Sequence, residues 1–371
     1  MVTLVTQRSG KAILIKAVSS SCDEGSLANA VSGGLPGGVT SPGARSAMRV
    51  HGDHDDPTNI FPMPRYPPAH TSATFEAVAA RKSLILTPPE IYAECAHHGE
   101  EKAKFGWLKL LTLCTIAGCY VGFGFTLCLM VGGNIGADIL AARPGLFSLV
   151  YGAVGFPAAF TMIVICGAEL FTSMCAYMTA AWWEGKVTFL TCVRMWVVSW
   201  VGNFAGCAIF IGLIVSTQIF EGRDWYALLM ATKKVHHGFG NTLVRGIFAN
   251  WLVGIATWQA NAAQDLSGKA IAIWLPISAF AMLGWEHSIA NQYLLPLSIA
   301  LEPGHLSAYQ VVVGNLIPAT IGNWIGGAVC VATVYALAYG RPNLVITQRA
   351  EQLRAAWAGR WADRRRRGLP A

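Results

Sequence analysis

The sequence predicts an all-α polytopic membrane protein with six transmembrane helices. Apolar residues make up 54% of the 371 residues and charged residues only 13%, and the mean hydropathy is +0.45. This balance is too apolar for an ordinary soluble domain of that length. Six apolar runs are long enough to cross ~30 Å of hydrocarbon. Two of them are interrupted by glycine and proline at matching positions, which is typical of transporters built from inverted repeats.

The N-terminal segment, residues 1–85, is rich in glycine, serine and proline. Such a segment cannot bury enough apolar surface to offset its ordering entropy, so we expect a disordered extension. Order is expected to begin at Thr87, which can cap a helix whose first turn accommodates Pro88 and Pro89. The residues that follow predict an amphipathic helix lying at the membrane surface.

The six predicted spans lie at about residues 106–131, 147–183, 190–216, 243–263, 270–300 and 312–339. An even number of spans places both termini on one side. Because arginine is dense in residues 342–371, we expect a basic cytoplasmic C-terminal tail, with the N-terminus also cytoplasmic. Arg223, Lys233 and Lys234 in the third loop depart from this rule. Either the spans are misplaced there or these charges are kept at the outer mouth for electrostatic reasons.

Neither the cysteines nor the histidines predict a metal site. Most of the ten cysteines lie inside apolar runs and none forms a C-x-x-C pair, so they are expected to be packing residues. Adjacent histidines such as His97-His98 and His236-His237 point ~100° apart on a helix, so neither pair alone makes a site. The surplus of seven positive charges lies mostly at the ends of the chain, without interleaved aromatics. We therefore expect no metal, no cofactor and no nucleic-acid partner.

The second and fifth runs are too long and too interrupted to be plain helices. The breakers in the second run precede Glu169, and those in the fifth run surround Glu286: Gly155, Pro157 and Gly167, then Pro276, Gly284 and Pro296. The span after each run carries Gly-Asn-aromatic-x-Gly, at residues 202–206 and 322–326. With three spans per half, the two repeats must be inverted, and the half-helix ends then aim their dipoles at a midplane substrate site. We expect Glu169 and Glu286 to be structural, accepting hydrogen bonds from backbone N–H groups freed at the breaks.

His287 is the leading functional candidate. An ionisable side chain at membrane depth costs roughly 2.5–3.5 kcal/mol, so it marks a functional site. Histidine has a reference pKa near ~6.5 and donates a hydrogen bond while neutral, which suits handing a proton to something that crosses the membrane. The alternative interpretation is a core histidine satisfied by a backbone carbonyl.

Four motifs give the chain a resemblance to the formate/nitrite transporter family over about Leu86 to Arg341. They are Gly-Ala-Glu-Leu-Phe-Thr-Ser at 167–173, Lys-Val-His-His at 234–237, Glu-His-Ser-Ile-Ala-Asn at 286–291 and Asn-Leu-Ile-Pro at 315–318. The resemblance implies a homopentamer whose protomers each have an aquaporin-like six-span fold and their own pore. It also implies transport of small monocarboxylates or similar weak-acid anions together with a proton.

The same resemblance implies roles for individual residues. His287 matches the central histidine, Thr172 the threonine opposite it, and Asn250 its polar partner. Vestibule lysines correspond to Lys102, Lys233 and Lys234, and the apolar constrictions to Phe156, Phe160, Phe171 and Phe280. Phe160 is at a position where bacterial members tend to have leucine, so the resemblance does not determine the width of the constriction.

Proton-coupled transport of lactate, pyruvate, formate or acetate across the plasma membrane is therefore predicted. The basic mouth residues resemble most the apicomplexan branch, which exports lactate and pyruvate. Algal plastid members, which handle nitrite or bicarbonate, also carry N-terminal extensions, so a nitrite or bicarbonate channel of an organelle membrane is the alternative. Desolvating a carboxylate is prohibitive whereas the neutral acid crosses readily, so protonation must accompany entry.

Two other classes of membrane protein fit the sequence less well. An aquaporin-type channel for neutral solutes should carry paired Asn-Pro-Ala signatures, and the sequence contains none. A membrane enzyme could draw its acid, base and nucleophile only from Thr172, Glu169, Glu286 and His287. The symmetric placement of these residues favours a pore, so we expect no enzymatic activity.

Overall fold

The structure, a computed structural model, describes residues 84–367. Within that range all regular structure is helical, apart from an isolated bridge between Ile85 and Ala263. The prediction of an all-α chain with apolar helices is therefore confirmed. The predicted disordered extension lies almost entirely outside the described residues and stays a prediction.

The first half of the described chain begins with helix α1 (Pro88–Ala103), where the Glu90 carboxylate accepts a 2.8 Å hydrogen bond from the backbone N–H of Thr87. As the sequence predicts, one face of α1 is buried, and it packs against α6. The helices that follow are α2 (Trp107–Ile135), α3 (Ala137–Ala142), α4 (Pro144–Gly152), α5 (Gly155–Ile165), α6 (Phe171–Trp183) and α7 (Phe189–Ser216).

The second half of the described chain consists of six further helices. Its helices are α8 (Trp225–Val235), α9 (Phe239–Ala262), α10 (Leu266–Met282), α11 (Ser288–Leu301), α12 (Ala308–Tyr339) and α13 (Arg341–Arg366). Helix α12 contains two π-helical segments, Val312–Leu316 and Ile325–Thr333. The predicted C-terminal tail is thus a helix as far as the structure describes it.

Four of the described helices are long and apolar enough to cross a membrane: α2, the α4–α5 segment Pro144–Ile165, α7 and α12. Helix α9 has 24 residues but includes Arg245, Asn250 and Asn261. The second and fifth predicted runs are not single helices but α4–α6 and α10–α11. Six crossings and an inverted repeat remain predictions.

The two breaks have the same form. After α5 the chain turns at Gly167, whose φ is +72°, and after α10 it turns at Gly284, whose φ is +66°. Glycine adopts such angles without the steric cost that a Cβ imposes. Three residues without regular structure follow each glycine before α6 and α11 begin, which confirms that the second and fifth runs are broken.

Small residues allow the long helices to approach closely in both halves. Between α2 and α7, a Cβ added to Gly206 would overlap the carbonyl oxygen of Thr115. Between α9 and α12, a Cβ added to Gly322 would overlap the carbonyl oxygen of Leu243. Such contacts drive helix association in lipid, where the hydrophobic effect is absent.

We predict that Gly206→Ala destabilises the fold because the added methyl group meets backbone rather than a movable side chain. Overpacking of this kind costs about 1–3 kcal/mol. Thermal unfolding of the purified protein in detergent measures the effect. Gly212→Ala, in the same helix but with open space around the added methyl group, is the matched control. Equal melting temperatures for the two variants would contradict the packing argument.

Candidate functional site

Asn203 on α7 closes the first break. Its Oδ1 accepts a 2.9 Å hydrogen bond from the backbone N–H of Phe171, the first residue of α6. Its Nδ2 donates to the carbonyl oxygens of Cys114 and Glu169, at 2.8 and 2.9 Å. One buried amide therefore ties the start of α6 to α2.

Asn323 on α12 does the same at the second break. Its Oδ1 accepts a 2.7 Å hydrogen bond from the backbone N–H of Ser288, the first residue of α11. Its Nδ2 donates to the carbonyl oxygens of Gly246 and Glu286, each at 2.8 Å. The asparagines of the two Gly-Asn-aromatic-x-Gly motifs thus have the same structural role, each connecting the start of a new helix to a neighbouring helix.

The prediction that Glu169 and Glu286 accept hydrogen bonds from freed backbone N–H groups is wrong. Glu169 instead forms an ion pair with Lys102, Oε1 to Nζ, at 2.5 Å. The Oε1 of Glu286 pairs with Lys234 at 3.1 Å, and its Oε2 accepts from Asn291 and Asn315 at 2.7 and 3.0 Å. Asn203 and Asn323 already accept hydrogen bonds from the first N–H groups of α6 and α11, so the two carboxylates are available to pair with lysines.

Lys234 is on α8, and its side chain reaches the second break. Besides Glu286, its ammonium group donates to the carbonyl oxygens of Gly284 and Trp285, at 3.2 and 3.0 Å. An ammonium group has three donors, and all three are occupied. Of the three lysines expected in the vestibules, only Lys233 is exposed. Lys234 is 5% exposed, and Lys102 is partly buried and paired with Glu169.

His237, in the loop before α9, also approaches the break, with Nε2 3.9 Å from Oε1 of Glu286. Burial, together with the nearby Arg245 guanidinium, lowers the pKa of His237. His237 is therefore neutral at neutral pH, and Lys234 is the cation that balances Glu286.

His287 is the residue immediately before α11, and its ring is held at both nitrogens. Nδ1 accepts a 3.0 Å hydrogen bond from the backbone N–H of Ala290, and Nε2 lies 3.3 Å from Oγ1 of Thr172. An accepting Nδ1 carries no hydrogen, so these hydrogen bonds assign the proton of the neutral ring to Nε2. His287, at the end of the second break, accordingly points its Nε2–H group toward Thr172, which is on α6 after the first break.

The structure brings Thr172 and His287 together and places Asn250 behind them. The two hydrogens of the Asn250 amide go to the carbonyl oxygens of Thr172 and Asn323, at 3.2 and 2.6 Å. Asn250 therefore fixes the main chain of Thr172 rather than the imidazole ring. All three side chains are buried.

Two small cavities meet at His287. The lysine-side cavity is lined by residues that include Lys234, Tyr151 and Trp285, and the leucine-side cavity by residues that include Phe160, Ile163 and Leu170. In each cavity the centre of a water-sized sphere can move within about 10 Å³. Each cavity therefore has room for about one water molecule.

A neck of aromatic rings lies between these cavities, because Phe156, Phe280 and His287 line both of them. The ring centres of Phe156 and Phe280 are 5.3 Å apart, and those of Phe280 and His287 are 5.6 Å apart. A solute that moves from one cavity to the other must pass these three rings.

Phe171 does not belong to the predicted constriction. It lines a separate apolar groove with Trp196, Trp200 and Trp324, whereas the preceding Leu170 lines the leucine-side cavity. No helical period relates neighbouring side chains in a break, so periodicity could not show which of the two points inward. A signal was present in the repeat: Leu170 and His287 are each the third residue after the positive-φ glycine.

A family model for formate/nitrite transporters matches residues 89–337. The chain belongs to the formate/nitrite transporter family. Members of this family are membrane transporters and channels rather than enzymes, which agrees with the expectation from the sequence.

Relatives of this transporter come from distant organisms. A probable formate transporter of Methanothermobacter thermautotrophicus is 35% identical over 275 residues, covering 69% of this chain and 98% of that protein. The formate-nitrite transporter of Plasmodium falciparum is 30% identical over 280 residues, covering 71% of this chain and 87% of that protein. A solved pentameric formate channel with formate bound matches with a TM-score of 0.55 at 28% identity, over 62% of this chain and 97% of that one.

We predict that Glu286→Gln strongly destabilises the transporter because it leaves the buried Lys234 charge without its counter-charge. Removing one partner of a buried ion pair costs about 3–5 kcal/mol. The double variant Lys234→Met/Glu286→Gln should lose less stability than the sum of the two single variants. Thermal unfolding of all three variants gives the coupling energy, and Lys233→Met, at an exposed neighbour, is the control. Additive effects would show that the pair is not a unit.

Proposed function

We propose that the protein carries small monocarboxylates such as lactate, pyruvate, formate and acetate across a membrane together with a proton, through a pore in each protomer of a homopentamer. The observation that supports this best is the neck at His287 between two small, largely apolar cavities. A carboxylate cannot shed its water there without a counter-charge, whereas the neutral acid can.

The charges around the neck support passage of a neutral species. The Lys234 ammonium group is balanced by Glu286, and the two residues together present little net charge to the cavity. On the leucine-side cavity the lining is apolar except for His287. In this proposal exposed lysines such as Lys233 attract anions to the mouth of the pore, whereas Lys234 and Lys102 stabilise the two breaks.

His287 acts in this proposal as a neutral hydrogen-bond donor. If Nε2 released its proton, Nδ1 would have to gain one, and a protonated Nδ1 cannot accept the hydrogen bond from Ala290. The proton therefore enters with the substrate. As the dielectric constant around the anion falls, the pKa of the acid itself rises, and protonation by water at the mouth becomes favourable.

The comparisons support the substrate class and the assembly. The named relatives include a formate transporter, and the solved relative is a pentamer with formate bound. Residues 86–341 form the transport domain in this proposal. The arginine-rich C-terminus favours cytoplasmic termini, and the membrane in this proposal is the plasma membrane. The alternative is a nitrite or bicarbonate channel of an organelle membrane.

We predict that His287→Asn keeps the fold but loses most proton-linked flux. Asparagine is a favoured N-cap residue and can replace Nδ1 as the acceptor for Ala290, but its shorter side chain cannot reach the neck. Uptake of lactate and formate into proteoliposomes at acidic outside pH measures the loss, and size-exclusion chromatography checks assembly. Wild-type uptake by a well-assembled variant would rule out this role for His287.

Proton coupling itself is tested with the wild-type protein. Uptake should rise as the outside pH falls and collapse when a protonophore removes the gradient. Membrane potential should matter little, because one uncompensated charge would feel about 2.3 kcal/mol per 100 mV, whereas a proton and an anion together feel none. Sustained formate or lactate currents across a planar bilayer, reversing at the equilibrium potential of the anion, would establish an anion channel instead.

A further inference from the structure

The C-terminal helix α13 is built differently from every other long helix in the described range. It runs for 26 residues, Arg341–Arg366, and none of its residues is buried. It is joined to the transport domain mainly at its first turn, where the backbone N–H of Arg341 donates to the Glu184 carboxylate at 2.8 Å. Tyr92 donates to the same carboxylate oxygen at 2.9 Å, so α13 leaves the domain on the face that carries α1.

One face of α13 carries a row of apolar side chains from Ile346 to Trp361, while Leu344 and Val345, which are also exposed, lie off this row. The residues on this face, which we call the apolar stripe, follow one another at intervals of three or four: Ile346, Ala350, Leu353, Trp357 and Trp361. At ~100° per residue these side chains lie in one row. Leu353 and Trp357 are 65% and 69% exposed, and Trp361 is contacted within α13 by the Arg365 guanidinium, 3.9 Å from its ring centre. No other helix covers the stripe in the part of the chain that the structure describes.

The charges of α13 are arranged around this stripe. Arg349, Arg354 and Arg360 lie three or four residues from members of the stripe and therefore flank it. The two acidic residues, Glu351 and Asp363, are not spaced three or four residues from any member of the stripe. They therefore lie farther round the helix from it than the three arginines. Arg364–Arg367 then ends the helix with four consecutive positive charges.

From this arrangement we propose that α13 lies on the membrane and binds anionic phospholipid headgroups next to the last span. Interfacial helices combine an apolar face bearing tryptophan or leucine with flanking basic residues, whose charged ends reach the headgroups. Basic segments directly after a span are attracted to anionic leaflets. Tyr339 and Gly340, which immediately precede α13, end the last apolar span, so the helix starts at the bilayer.

Association of α13 with copies of itself is the less favourable way to cover the stripe. In a bundle of identical helices the positions on either side of the apolar stripe approach one another, and these positions include Arg349, Arg354 and Arg360. Like charges at these positions repel. An anionic lipid surface satisfies the stripe and the arginines together.

Lipid binding should also determine whether the helix persists. A helix without tertiary contacts is marginal in water, because its stability comes mainly from packing of an apolar face. Slow exchange of the α13 backbone amides with solvent therefore reports that the stripe is covered.

The test is hydrogen–deuterium exchange of the full-length protein in nanodiscs of phosphatidylcholine, alone or mixed with phosphatidylglycerol, followed by mass spectrometry of peptides from residues 341–367. We expect exchange to be about tenfold slower in the anionic nanodiscs. About 0.5 M salt should abolish much of the difference by screening. Equal exchange in the two lipids, whether fast or slow, would overturn the proposal, and slow exchange in both would indicate helix–helix association.

Single variants separate charge from apolar contact. Arg354→Gln beside the stripe should reduce the protection, whereas Arg366→Gln, one charge removed from the opposite face, should reduce it less. Trp357→Gln should also expose the helix, and Ala355→Gln, the same new side chain on the opposite face, should not. Because α13 has no buried residue, the transport domain should fold in every variant, and unchanged flux checks this. Equal effects within either pair would contradict a defined membrane-facing side.

Discussion

Interrupting a helix inside a membrane leaves backbone groups that neither water nor lipid can satisfy, and this constraint explains most of the polar chemistry in the protein. Both breaks use the same solution, one asparagine from a neighbouring span. Asn203 and Asn323 each accept from the first N–H of a new helix and donate to two carbonyl oxygens. An aspartate could not replace either amide, because its ionised carboxylate has no hydrogen to donate.

The lysine–glutamate pairs follow from the same constraint. The carbonyl oxygens left free at the second break need a donor, and Lys234 reaches two of them. A buried ammonium group needs a counter-charge, which Glu286 supplies, and Glu286 in turn is fixed by Asn291 and Asn315. Lys102 and Glu169 form the simpler pair at the first break. These ion pairs hold the breaks in shape and leave His287 as the polar group of the neck.

Much of this fold could be predicted from the sequence, because hydropathy and breaker residues are local signals. The broken runs and the capped α1 follow from residue type and position, whereas the contact between Thr172 and His287 was implied only by the resemblance to the family. The lysine partners of Glu169 and Glu286 could not be predicted, because Lys102 and Lys234 approach the two breaks only through tertiary packing. Periodicity could not show the orientation of Leu170 either, because a residue outside helices and strands has no period from which to infer a buried face.

The equivalence of Leu170 and His287 in the two halves has a consequence for kinetics. In a passive pore, microscopic reversibility ties the forward and reverse rates to the gradients, so a donor in one half and an alkyl side chain in the other cannot make transport run one way. The asymmetry can change only how strongly a solute is held on each approach. Under the proposed function the pore would then saturate at different concentrations from the two sides, while the direction of net movement would follow the gradients of acid and proton alone.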